Sequence, residues 1–166
     1  MKFAAAVSAL LLFATTANAQ ETRVWAVETP KDAEAWLRYA TPDTDDQPLA
    51  FSCERKSGQV RVTAVIGRQM GVRKDGDIWL DKAGVRAPWP LSVNLGSEGG
   101  SVTLRGAAQP EEVSGGSIVF TEFSTRASFA EAFRKSGLVR LTAAGETLNP
   151  APAPKSMVRK FLGVCK

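Results

Sequence analysis

Chemistry in this sequence has to be built without histidine, because none of the 166 residues is one. That removes Ser-His-Asp and Cys-His catalysis and every zinc site that uses imidazole. Only two cysteines are present, Cys53 and Cys165, and bonding them to each other would leave no thiolate nucleophile. The densest acidic run is Asp43-Thr44-Asp45-Asp46. Carboxylates alternating in a loop suit calcium, yet the glycine and distal glutamate of a calcium loop are missing. Aspartates beside Pro42 also build turns by accepting hydrogen bonds from their own backbone, which is the preferred reading. A glycosidase-type pair can be assembled from Asp45, Glu54 or Glu122, provided two of them stand roughly 5–10 Å apart. Ser114 and Ser117 flank Gly115-Gly116 without forming a G-x-S-x-G elbow. No catalytic residue, metal site or cofactor is therefore assigned.

Four tryptophans are the other notable residues. Trp25 and Trp36 sit in candidate strands and are expected in the core. Trp79 lies in a short, less regular segment. Trp89 stands between Pro88 and Pro90, which bars it from a central ladder and favours an edge or loop. There it either anchors a partner or folds down over the core. Trp79, Trp89, Asp45 and Asp46 are accordingly the candidate partner-binding residues.

The elements that must hold these residues are mostly strands. Arg23-Val24-Trp25-Ala26-Val27 alternates and is rich in β-formers. Residues 33–39 have mixed signals but run into Thr41-Pro42, which favours strand. Leu49-Ala50-Phe51-Ser52-Cys53 turns at Lys56-Ser57-Gly58 into Val60-Arg61-Val62-Thr63-Ala64-Val65, the clearest hairpin. A plain turn is expected at Asp75-Gly76-Asp77. Strands are expected at residues 78–80, 91–95, 101–104, 117–123 and 138–142. Two helices interrupt the pattern. Ser128-Phe129-Ala130-Glu131 reads as a capping box, with Gly137 as the stop. After the stiff Pro150, Pro152 and Pro154 connector, Met157, Val158, Phe161, Leu162 and Cys165 line one face of a second helix. The fold class is mainly β, bordering on α+β: an antiparallel sandwich or partly open barrel with two short helices.

The first residues carry a three-part export signal. Lys2 is the positive start, residues 3–14 are apolar, and Ala17-Asn18-Ala19 is a small-x-small cleavage site. Cleavage between Ala19 and Gln20 would leave one β-rich domain with a C-terminal helix (residues 20–166), periplasmic or secreted, with no membrane span. In an oxidising space the two cysteines form one structural disulfide; unlinked buried thiols are the alternative. The basic and acidic side chains are interspersed, with no block of five like charges, so solubility is preferred over nucleic-acid binding.

Trp25, the T-P-D-T-D-D loop ending at Asp46, and the F-S-C of Phe51 to Cys53 occur in that order. They are followed by A-F-R-K-S-G-L-V-R-L (132–141) and K-F-L-G-V-C (160–165). In these features the chain resembles small exported proteins of Gram-negative bacteria. It is more distantly similar to periplasmic accessory proteins of type VI secretion and to the invasion-associated locus B family. That resemblance implies a mainly β envelope protein and carries no catalytic residue. The function expected is a non-enzymatic binding module with a protein or envelope partner, as a monomer or weak oligomer. The alternative is a carboxylate-dependent hydrolase of cell-wall or sugar substrates.

Overall fold

A computed structural model describes residues 22–113 and 115–166. The export signal and Ser114 lie outside the described residues. Nine strands form one antiparallel sheet: β1 (Val24–Glu28), β2 (Ala35–Ala40), β3 (Leu49–Cys53), β4 (Gln59–Ile66), β9 (Ser117–Ser124), β8 (Gly100–Pro110), β7 (Trp89–Ser97), β10 (Arg140–Ala143) and β11 (Glu146–Leu148), in that spatial order. β5 (Arg73–Asp75) and β6 (Ile78–Leu80) make a separate hairpin, turned by Gly76 at φ +61°. The large sheet curls into a half-barrel, so the partly open barrel, and not the two-sheet sandwich, is the form adopted.

Strand alternation decides which side chains enter the concave face. In β4, Val60, Val62, Ala64 and Ile66 are buried while Gln59 and Arg61 are exposed. Register carries this parity across the sheet, with Phe51 opposite Val62 and Leu49 opposite Ala64. The concavity is filled by aromatic rings. Phe51 touches Trp25, Phe123 and Phe133 at centroid distances of 6.3, 6.2 and 5.4 Å. Residues 33–39 are strand, as expected, but their parity corrects one placement. Ala35 and Leu37 point inward, so Trp36 lies on the convex face, where the Arg38 guanidinium stacks 4.6 Å from its ring centroid.

Two helices cover the open side. α1 (Ser128–Ser136) packs on β7 and β8, and α2 (Lys155–Cys165) packs on β1 and β2; the helices also touch each other. The start of α1 departs from the capping box. Ala127 is the N-cap, and the Ser128 hydroxyl instead donates to the Ser101 carbonyl 2.8 Å away, tying the helix to β8. Gly137 ends α1 at φ +76°, as its position suggests, with its N–H donating to the Phe133 carbonyl. Val158, Phe161, Leu162 and Cys165 form the buried face of α2. Cys165 is bonded to Cys53, with the Cα atoms 5.7 Å apart. Backbone bonds from Lys56 N–H to the Val164 carbonyl and from Gly58 N–H to the Cys165 carbonyl fasten the same two segments.

Candidate functional site

The four residues singled out in the sequence do not meet in one place. Trp89 is only 2% exposed and belongs to the core, with its indole N–H donating to the Val85 carbonyl at 2.9 Å. It starts β7 opposite Ala108, and β10 pairs only with Val93–Gly96 of that strand. Pro90 therefore occupies a locally unpaired edge, which a proline tolerates. The edge expectation holds, and so does the reading in which Trp89 folds down over the core; the exposed-anchor alternative is corrected. Trp79 is half-buried. Its indole N–H donates to Glu112 Oε1 at 3.0 Å, and Lys74 Nζ lies 2.9 Å from the same oxygen. Those two donors, the indole first, hold the Glu112 carboxyl below its ordinary range. Gly71 is pressed between the Trp79 and Trp89 rings, where a Cβ would meet both at 2.9 Å.

Asp45 and Asp46 flank a groove of about 550 Å³ along one rim of the sheet, with Pro48, Val65, Ile118 and Leu148 supplying apolar walls. Asp46 works within the structure. It accepts from Arg23 Nε at 2.7 Å and from the Thr41 hydroxyl at 2.6 Å, closing the β2–β3 loop where Asp43 sits at φ +59°. The turn reading of this acidic run is the one the fold uses. Hydrogen bonds from Arg23, then Thr41, lower the Asp46 pKa. A carboxyl lowered on folding stabilises the native state above its unfolded pKa of about 3.9, and that contribution disappears as pH falls through the folded value. Both partners are more than one-third exposed, so Asp46→Asn should cost under about 1 kcal/mol at pH 7. Urea unfolding at pH 7 and pH 2 checks this; the difference from wild type should vanish at the lower pH.

The leading hydrolase pair, Asp45 and Glu54, stands apart. Asp45 and Glu54 lie beyond opposite ends of β3, whose five residues span about 16 Å. That exceeds the separation a carboxylate pair requires. Glu122 is on the convex face, 3.7 Å from Arg61 Nε. Ser117 is fully buried, its hydroxyl donating to the Arg68 carbonyl and accepting from the Met70 N–H. Among the described residues, no group of three or more His, Cys, Asp or Glu is placed to hold a metal ion.

The disulfide end of the molecule holds a polar cleft that the sequence did not single out. It measures about 490 Å³ and gathers Lys56 from the β3–β4 turn, Arg126 from the β9–α1 loop, Arg134 from α1 and Lys166 beyond α2. Ser57 and Thr125 add hydroxyls, and Glu131 is the one acidic side chain in the wall. Glu131 is engaged by Lys135 Nζ at 3.1 Å and Arg134 at 3.4 Å. Lys135, and to a lesser degree Arg134 and Lys166, depress its pKa. Lys56, Arg126 and Lys166 form no ion pair with other described residues. The floor is rigid: Thr125 N–H donates to the Gly58 carbonyl beside the backbone bonds that flank the disulfide. Four cations from four separate segments make this cleft suited to an anionic group.

Comparison with family models, curated proteins and solved structures found no match to this chain.

Proposed function

We propose that the chain is a non-enzymatic binding module, exported to the periplasm or beyond, that seats an anionic group of an envelope partner in the cleft of Lys56, Arg126, Arg134 and Lys166. The observation that carries this reading is the cleft itself. It concentrates positive charge and hydroxyls on a floor stapled by the disulfide and three backbone bonds. Such a surface offers charge-assisted hydrogen bonds to phosphate or carboxylate oxygens. It lacks the imidazole or carboxylate pair that would activate a nucleophile on a bound ligand. Export is supported by the tripartite pattern of residues 1–19 and by a disulfide of the kind that persists in oxidising compartments.

Two measurements test the two halves. Fractionation of the producing cell with intact mass analysis should return an oxidised protein beginning at Gln20 outside the cytoplasm. A reduced, full-length cytosolic protein overturns the export half. Titration of the labelled protein with millimolar inorganic phosphate, followed by amide NMR, should move the signals of residues 56–58 and 125–127 together. Shifts scattered over the sheet, or none in the cleft, overturn the anion-seat half.

A further inference from the structure

Charge is strongly segregated in the folded molecule, although it is interspersed along the chain. α2 and the residue after it carry Lys155, Arg159, Lys160 and Lys166, all exposed, with no acidic side chain among them. The Arg126 loop and α1 add three cations against Glu131. The neighbouring β3–β4 turn adds Arg55 and Lys56 against Glu54. These segments sum to +7; the β7–β8 turn held against α1 adds Glu98 and the β1–β2 loop held against Arg55 adds Lys31, Asp32 and Glu34, so this side carries +5 against +4 for the whole chain. Lys155 and Arg159, at i and i+4, share one side of α2, and Lys166 follows its last residue. Both helices turn their apolar faces to the core, and none of the exposed large apolar side chains among the described residues belongs to either helix.

We infer that this helical face docks on an anionic lipid surface, with one headgroup phosphate entering the cleft of Lys56, Arg126, Arg134 and Lys166. The inference rests on the binding-module reading above and names its partner. A protein partner would be expected to need an apolar centre at the interface, which this face does not offer. A single-stranded nucleic acid would be expected to stack its bases on aromatic side chains, but Phe129, Phe133 and Phe161 are all fully buried. A sheet of phosphate headgroups needs neither. Juxtaposed lysines and arginines are attracted to it electrostatically, within a Debye length of the surface. No helix of the described residues is long and apolar enough to span a membrane, and peripheral docking requires none.

The test is co-sedimentation of the purified, oxidised protein with vesicles of phosphatidylcholine alone or with one-quarter phosphatidylglycerol. Pelleting is expected only with the anionic vesicles and should be abolished by about 0.5 M salt. The double reversal Arg159→Glu with Lys160→Glu, on exposed positions of α2, should lower partitioning by at least about tenfold. Reversal of Lys82 and Arg86, which lie outside this face, should leave it unchanged, with circular dichroism reporting the fold of each variant. Equal pelleting with neutral vesicles overturns the inference, as does retention of binding by the folded α2 variant. So does binding to a DNA oligonucleotide without binding to vesicles. If phosphate moves the cleft amides but no vesicle pellets the protein, the anion seat stands and the lipid surface falls.

Discussion

Reducing the Cys53–Cys165 bond, or replacing both cysteines with alanine, should lower the unfolding free energy by about 4–5 kcal/mol. The bond spans a sequence separation of 112 residues, so it constrains a large part of the unfolded chain and leaves the ends of the native structure where backbone hydrogen bonds already hold them. In the loop-entropy account, the gain grows with the logarithm of loop length, which puts this bridge near the upper end of natural disulfides. Guanidinium unfolding with and without reductant reads the difference directly. The midpoint should fall, and the slope should rise if the reduced unfolded chain is more expanded. A loss below about 1 kcal/mol would show that α2 docks through its apolar face alone. The same experiment has a functional side. Lys56 and Lys166 sit next to the bonded segments, so loosening the C-terminal end of α2 should also weaken phosphate binding in the cleft.

How far these properties were legible in the sequence differs by element. The β3–β4 hairpin was readable because its signal is local: two alternating runs joined by a turn containing Gly58 at φ +71°. The apolar stripe of α2 and the cysteine pairing were also readable, since period and compartment chemistry suffice. β8 was longer than its sequence suggests. Gly106, Ala107 and Ala108 are poor strand formers, yet they pair with β9 in the folded sheet. A side chain at Gly106 would run into the Phe120 carbonyl and Val93, so tertiary approach, and not propensity, selects the small residue there. β11 follows a turn with Ala144 at φ +49° and Gly145 at φ +83°; only the glycine announces it, and an alanine in that conformation does not. Trp89 was legible in its backbone and, as the reading folded over the core, in its burial: flanking prolines fix an edge position, while side-chain parity sends the indole inward.

The site was less legible than the fold for a related reason. Lys56, Arg126, Arg134 and Lys166 are separated by 70, 8 and 32 residues, so no window of sequence shows them as a cluster. They meet because α2 returns to the β3–β4 turn, which the disulfide enforces, and because α1 begins where β9 leaves the sheet. The acid-free stretch from residue 147 to 166 was the one visible trace of the basic face. A sequence-level view of charge counts runs along the chain; recognition depends on which runs the topology lays side by side.

The second large effect lies at the centre of the half-barrel. Phe51→Ala should cost about 3–5 kcal/mol, the range for deleting a fully buried phenyl ring and leaving a void. Phe51 is completely buried and joins the sheet to its cover: its ring contacts Trp25 of β1, Phe123 of β9 and Phe133 of α1. No single neighbour can move into the space without losing its own contacts. Trp25 is held by its indole N–H, which donates to the Ala151 carbonyl at 2.6 Å, and Phe133 is fixed by the stop of α1 at Gly137. The matched control is Trp36→Ala. Trp36 is as aromatic as Phe51 and sits on the adjoining strand, but it lies on the convex face under Arg38, so its loss should cost only about 1 kcal/mol. Urea midpoints of the two variants measure the contrast. Equal losses would mean that the convex face of β2 is covered and that the inside–outside parity derived from the register is wrong.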